Sequence, residues 1–313
     1  MDIRSFLWHM AARIAKSIGH IAGFMPFNVQ TWLIHLQYDI RQSQRAQTLR
    51  FIFFHGMLEH CKQDILIKKE AFHIGNKTVH YIMELNLKDY IDRRCYFLHE
   101  NEALGTFIIN NLSKKDTYFD LGANIGQTTL LAATVAGKVI AFEPEPSAFQ
   151  KLTYNLSLNT VPHVQIHNIA ASDSTGSEKL FICKNNDGSH SMNQQFIKTV
   201  GNTYGEAISV PTRAINDMDL PFPTMVKIDV EGHEAAALRG MNRYLSSVQY
   251  VYCETSSSNF DTIKSLLSTH GFTTMYALDK QSGTFFPATK EALSSKRLFD
   301  ILFINANAKQ PIL

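Results

Sequence analysis

Residues 116–145 read DTYFDLGANIGQTTLLAATVAGKVIAFEPE, and they decide the fold. Tyr118 to Leu121 is a run of strand formers, Gly122 and Gly126 bracket a tight loop, and Gln127 to Ala136 is a small-residue helix closed by Gly137. Val139 to Phe142 makes the next strand, which ends on Glu143. Strand, glycine loop, helix and strand form a βαβ unit with a nucleotide-type loop at its first turn.

The loop chemistry separates two classes of ligand. A dinucleotide fingerprint needs glycines spaced GxGxxG so that the backbone can approach a pyrophosphate. The run from Asp120 to Gly126, DLGANIG, lacks that spacing and opens with a carboxylate, which repels phosphate and attracts a cation. That counts against an NAD-dependent oxidoreductase. S-adenosylmethionine has a sulfonium, an ammonium, a ribose diol and no phosphate. Asp120 suits its charged methionine end. Glu143 stands about 20 residues beyond the loop, where an α/β nucleotide fold meets a ribose. The competing reading is a loop acid that merely caps the helix.

A second acidic constellation lies at Pro223 to Gly240, PTMVKIDVEGHEAAALRG. Val226 to Val230 reads as a buried strand, and Glu231-Gly232-His233-Glu234 turns into a helix that stops at Gly240. Open α/β sheets bind ligands at strand carboxyl ends, so Asp229, Glu231 and His233 are expected in the same crevice as Asp120 and Glu143. Lys227 shares a strand face with Asp229 and needs a partner if buried. Glu234 reads as charge at a helix N-terminus. His233-Glu234 is not a zinc-protease motif, because Ala237 stands where a second histidine is required. Asp229 and Glu254 alone fall short of a site for a hard octahedral ion, and no metal is assigned.

Between the two constellations the alternation continues. Ser147 to Leu158 reads as a helix and Val164 to Ile169 as a third strand. Ala170 to Asp173 leads into a strand at Lys179 to Cys183, with Asp173 either a turn residue or an adenine contact. Residues 184–206 are polar and long for a connection, which points to function, here part of an acceptor pocket. Val210 to Ala214 gives another short strand. After residue 240, Val248 to Cys253 ends on Glu254, a helix spans Asp261 to Thr269, and strands at Thr273 to Leu278 and Leu298 to Ile304 close the chain around Gln281-Ser282-Gly283. The expected sheet is mixed, with about seven strands.

Upstream, Leu87 to Leu112 reads as helical and Ile65 to Leu85 as a hairpin turning at Gly75-Asn76. Residues 1–25 carry Ile3, Leu7, Met10, Ile14, Ile18, Ile21 and Met25 at three- and four-residue steps, with His9, Arg13, Lys16 and His20 on another face. Such a helix either packs on the domain or lies on a membrane surface. The domain boundary is placed near residue 85, giving a helical extension over 1–85 and a catalytic domain over 86–313.

The whole chain of 313 residues has 45% hydrophobic residues, 19% charged residues and a net charge of +2, so it can bury a core and has no global pull towards nucleic acid. Its four cysteines are far apart, which fits a reduced, cytoplasmic setting without a disulfide or zinc framework.

DLGANIG, FEPEP and KIDVEGHE, in that order and spacing, resemble the FkbM family of class I S-adenosylmethionine-dependent methyltransferases, over roughly residues 85 to 305. The resemblance implies a Rossmann-like α/β fold, S-adenosylmethionine as cofactor, and methylation of a hydroxyl, often on a sugar of a polysaccharide or glycolipid. It implies cofactor contacts at Asp120, Gly122, Ala123, Asn124, Gly126, Glu143, Pro144, Ala171 and Asp229. From their own chemistry Asp229 and His233 are the candidates for proton transfer, with Glu231 assisting or orienting; the family position of His233 is often a small residue, so a helix-surface histidine is the competing reading. The expected partner is a small-molecule or glycan acceptor; residues 1–25 lie outside the resemblance and leave open either packing on the domain or peripheral membrane contact, and the oligomeric state is left open. The location expected is the cytoplasm, with the inner membrane face as a peripheral site.

Overall fold

The computed structural model describes residues 13–20, 22, 52–58, 64–74, 77–97, 102–200, 202–280, 282–289 and 298–313. The chain divides into two compact units, residues 1–70 with 83–100, and residues 71–82 with 101–313.

In the first unit, residues 13–20 and 52–58 are helical, and the helix α1 (Tyr90–Phe97) follows. Of the amphipathic reading of residues 1–25, only 13–20 and 22 lie among the described residues. Their buried positions are Gly19 and Ala22, while Ile14 and Ile18 are each 51% exposed. A Cβ at Gly19 would lie 2.0 Å from the Phe53 carbonyl oxygen, and one at Gly56 would lie 2.7 Å from that of Lys16. The two helical stretches therefore cross through small residues.

The predicted hairpin is present as β1 (Leu66–Ile74) and β2 (Lys77–Asn86), paired in a two-stranded sheet; its Gly75-Asn76 turn lies outside the described residues.

The second unit is organised on one mixed sheet. The helix α2 (Glu102–Asn111) leads to β3 (Thr117–Leu121), α3 (Gln127–Val135), β4 (Lys138–Phe142), α4 (Pro146–Ser157) and β5 (Val164–His167). Then come β6 (Ala170–Ser172), β7 (Gly176–Cys183), α5 (Gln194–Val200), β8 (Tyr204–Ala214), β9 (Met225–Ile228), α6 (Glu234–Gly240), α7 (Asn242–Leu245), β10 (Tyr250–Ser256), α8 (Phe260–Ser268), β11 (Phe272–Asp279), β12 (Thr284–Pro287) and β13 (Leu298–Asn305). The sheet order is β12-β11-β13-β10-β9-β3-β4-β5. From β10 to β5 the neighbours are parallel, whereas β13, β11 and β12 are antiparallel to their neighbours.

The parallel centre is apolar on both faces, as covered parallel strands must be. Phe119, Leu121, Ile140, Phe142, Val226 and Ile228 pack to one side with Leu238, Tyr244 and Ile263. Tyr118, Val139, Met225 and Tyr250 pack to the other with Leu104, Phe107, Ala132 and Ala133. The order reverses at β3: its successor β4 lies on one side and β9 on the other, which makes the carboxyl ends of β3 and β9 a switch-point crevice.

Three expectations need correction. The sheet has eight strands, because the turn after β11 leads into β12, and β13 pairs with β11 on its other side. The added strand is a short edge strand ending in Pro287, a place where a missing N–H costs no ladder bond. The strand at Val210 to Ala214 is longer than expected and does not enter the main sheet. As β8 it runs between β6 and β7 in a separate three-stranded sheet. Val210, Thr212 and Ala214 are buried while Ser209, Pro211 and Arg213 are exposed, the alternation of a sheet with one wet face. The polar stretch 184–206 also holds α5, so it is not a plain loop.

Candidate active site

Lys227 organises the crevice from below. In register it is flanked by Asp120 on β3 and Tyr252 on β10. Its ammonium lies 2.9 Å from the Gly122 carbonyl oxygen, 3.3 Å from Asp120 Oδ1 and 3.5 Å from Asp229 Oδ2. Burial alone lowers a lysine pKa, but the two aspartates outweigh it and hold this one above its ordinary value. Asp120 is fully buried, and its other oxygen accepts from the hydroxyls of Thr128 and Thr129, both at 2.7 Å. Asp120 thus sits beneath the loop, with its charge answered from inside the protein.

The loop itself is fastened at both ends. The N–H groups of Gly122 and Ala123 donate to the Phe142 carbonyl at 3.0 Å, and that of Gly126 to the Ala123 carbonyl. Gly122 has φ 82°, and a Cβ there would fall 1.8 Å from the Asp229 carbonyl oxygen, so the two constellations touch through a bare Cα. Ala123 is buried against Ala141 and Leu152. Asn124 takes φ 48°, a conformation its short amide side chain tolerates.

Glu143 is bound to the loop. Its Oε2 accepts from the Asn124 N–H at 2.8 Å and its Oε1 from the Glu145 N–H at 2.9 Å. Burial pushes its pKa up to about 7 despite these donors. The Asn168 side chain donates to the carbonyls of Glu143 and Pro144 at 2.8 and 3.2 Å and so fixes the wall of the crevice. Ala171, on β6, is buried in the core on the same face as Phe142.

At the ends of β9 and β10 the carboxylates of Asp229, Glu231 and Glu254 lie within 4.8 Å of one another. Burial first, and then the Asp229 charge, push the carboxyls of Glu231 and Glu254 well above the usual range. Glu231 has φ 52°, rare for a residue with a Cβ, so the turn aims this side chain at some cost in strain. On the outer side, Lys280 lies 2.8 Å from Asp300 and 4.0 Å from Glu254. Glu234 has the structural role expected: its carboxylate accepts from the Gly232 N–H and the Asn259 amide, both at 2.7 Å, and burial raises its pKa to about 7.

Of the three residues expected to transfer a proton, Asp229 and Glu231 are brought together. His233 turns elsewhere: its Nε2 lies 3.0 Å from the buried Ser172 hydroxyl, and its ring borders a groove of about 410 Å³ with Asp173, Glu178, Asn193 and Arg239. Asp173 is a turn residue paired with Arg239 at 2.8 Å.

The 184–206 stretch meets both constellations. The Asp187 backbone carbonyl accepts from the Asn124 side-chain amide at 3.5 Å, Ser189 donates to Glu231 Oε1 at 3.4 Å, Ser191 donates to the Glu231 carbonyl at 2.6 Å, and the Asn193 amide donates to the Gly232 carbonyl at 2.8 Å. His190 accepts the Cys183 N–H on Nδ1 at 3.1 Å, so its neutral ring carries the proton on Nε2. The sequence marked this stretch as functional by its length and polarity, and Gly188 to Ser191 is a run that resembles the family, but nothing in the sequence singled out Asn193 or Asn168.

Residues 120–274 match the family model described as "Methyltransferase FkbM domain". The hexuronic acid methyltransferase AglP of Haloferax volcanii is 31% identical over 149 residues, which cover 47% of this chain and 59% of that protein. Methyltransferase 1 of Beauveria bassiana is 26% identical over 178 residues, covering 49% of this chain and 70% of that one. The chain thus spans less than two thirds of the haloarchaeal relative's length. Among solved structures, the methyltransferase FkbM from Methylobacillus flagellatus KT aligns over 88% of this chain and 58% of its own at 15% identity, with a TM-score of 0.43.

Proposed function

The chain carries a methyltransferase domain of the FkbM family over residues 120–274, and from that premise we propose that it is an S-adenosylmethionine-dependent O-methyltransferase whose acceptor is a sugar hydroxyl in a surface polysaccharide or glycolipid. The observation that carries the reading is the buried carboxyl of Glu143, held to the Asn124 N–H at the tip of β4. A carboxyl there accepts hydrogen bonds from the hydroxyls of a ribose. Further along the crevice, Glu231 and Glu254 have raised pKa values, which an incoming cation relieves. A ligand with a diol, a sulfonium and an ammonium, and with no phosphate, fits that donor set.

S-adenosylmethionine would supply a methyl group already activated for in-line displacement. The protein's share is alignment, worth up to about 7–11 kcal/mol, and removal of the acceptor proton, worth about 10²–10⁴-fold. In this reading Gly122, Ala123, Asn124 and Gly126 shape the methionine end, Pro144 and Ala171 flank the adenine, and Asp120 acts through Lys227. Asp229 receives the hydroxyl proton with Glu231 assisting beside it, and His233, held on Ser172, takes no part in the transfer. A sugar acceptor is favoured by the relative named a hexuronic acid methyltransferase. Residues 86–313 are then the catalytic domain and residues 1–85 an extension, working in the cytoplasm.

The test is calorimetric titration of S-adenosylmethionine into the wild type and Glu143→Ala, followed by radiolabelled methyl transfer to uronic acid glycosides, neutral glycosides and phenolic small molecules. Binding weakened at least about tenfold in the variant supports the cofactor site. No binding to the wild type sinks it. Transfer to phenols alone would remove the sugar acceptor and leave the methyltransferase.

A further inference from the structure

We propose that the Ile14 and Ile18 face of the N-terminal helix docks on an anionic lipid bilayer. The proposal does not depend on the acceptor. Residues 13–20 are helical, so Ile14 and Ile18 stand one turn apart on one face. A helix of a water-soluble domain turns its large apolar side chains inward. Here the order is inverted. Gly19 and Ala22 are the buried positions, Gly19 pressed against the Phe53 backbone, and the two isoleucines are left 51% exposed.

The flank has the charge that an acidic surface selects. Arg13 and Lys16 are exposed beside the isoleucines. No aspartate or glutamate occurs between Asp2 and Asp39, a stretch that also holds Arg4, His9, His20 and His35. Single exposed isoleucines are ordinary. A pair on one face, flanked by cations in a stretch without acids, matches an interfacial helix, which sets apolar side chains at the acyl boundary and cations among the headgroups. Each cation near an anionic leaflet strengthens binding about fivefold, and salt weakens that share.

The experiment is co-flotation of the full chain with vesicles of phosphatidylcholine alone, or of phosphatidylcholine and phosphatidylglycerol in equal amounts. The wild type is expected to float with the mixed vesicles, to float less in high salt, and to stay behind with phosphatidylcholine. Ile14→Asp/Ile18→Asp should lower the floated fraction at least about tenfold with the thermal midpoint unchanged, since both side chains are at the surface. Should that pair fail to fold, Ile14→Ser/Ile18→Ser and Arg13→Glu carry the same test. A wild type that never floats, or a folded double variant that floats as well as the wild type, overturns the proposal. So does a dimer in light scattering that the double variant dissociates in the absence of flotation, which would assign the face to a second copy.

Discussion

Lys227 and Asp120 stand side by side in adjacent parallel strands, their charged groups 3.3 Å apart and their side chains 5% and 0% exposed. The same ammonium reaches the Gly122 carbonyl and the Asp229 carboxylate. One buried cation therefore ties the glycine loop after β3 to the acidic turn after β9. The first constellation is shaped from inside the sheet, and Glu143, nearer the surface of the crevice, is left to face a ligand.

Removing only the cation leaves a fully buried carboxylate with two hydroxyl donors and no counter-charge. Lys227→Met should cost about 3–5 kcal/mol in urea unfolding, the usual penalty for breaking a buried pair. Adding Asp120→Asn should restore a measurable part of that loss, because the orphaned charge goes with it. A double variant whose losses simply add would mean that the pair is not coupled in stability.

Glu143 makes the apo protein's stability depend on pH. Its carboxyl is held up to about 7 by burial, against 4.5 for the free side chain, so the folded state binds its proton more tightly than the unfolded state. That contribution is complete below about pH 4.5 and is lost as pH rises through 7. Glu143→Gln cannot lose the proton. Whatever its offset at low pH, the variant should gain on the wild type by about 3 kcal/mol between pH 4.5 and about 8. Glu234, also raised to about 7, contributes in the same sense and should remain in both proteins. A constant gap across that range would remove the buried-proton account of Glu143.

Two loop glycines should differ in what they tolerate. Both have positive φ, 82° at Gly122 and 95° at Gly126, so alanine at either pays a backbone cost of about 1–2 kcal/mol. At Gly126 the added methyl meets the Leu152 Cδ1 at 2.6 Å, a side chain that can shift. At Gly122 it meets the Asp229 carbonyl oxygen at 1.8 Å, which cannot move without moving the strand end. Gly122→Ala should therefore lower the thermal midpoint by clearly more than Gly126→Ala, and should be the more damaging to ligand binding. Equal losses would mean that the loop and the strand end separate easily.

The parts of this molecule legible in its sequence are those governed by period and punctuation. The β3-loop-α3-β4 unit and the strand into Asp229 could be read because buried parallel strands are short apolar runs, and because the loop needs its glycines. Lys227 reads as a charge that needs a partner if buried, and its partners are Asp120 and Asp229. The rest depended on distance along the chain. β12 is four residues long and looks like the far side of a turn, so a seven-strand sheet became eight. His233 shares a turn with Glu231, yet its ring goes to Ser172, 61 residues earlier, which spacing cannot foresee. Ser191 falls in a run, Gly188 to Ser191, that resembles the family, but its partner, the Glu231 carbonyl, lies 40 residues further on, which no local pattern specifies.

Ser189 and Ser191 offer a separation of architecture from electrostatics at Glu231. Ser191 is fully buried and donates to the Glu231 backbone carbonyl at 2.6 Å, so Ser191→Ala leaves that carbonyl without its donor and should cost about 1–3 kcal/mol of stability. Ser189 donates instead to the Glu231 carboxylate, through a longer contact of 3.4 Å, and this bond lowers a pKa that burial and Asp229 have raised. Ser189 also accepts from the Asn186 amide at 2.8 Å, so Ser189→Ala should cost some stability too, but it alone should move the Glu231 titration to still higher pH, because a donor to the charged form has been removed. Carbon NMR of the labelled glutamate carboxyls reads the second effect and urea unfolding the first. If Ser189→Ala moved the titration down, or Ser191→Ala left stability intact, the 184–206 stretch would not be holding the Glu231 turn in the way its hydrogen bonds describe. If both expectations hold, the stretch both fixes the turn's backbone and adjusts the readiness of its carboxylate to take a proton.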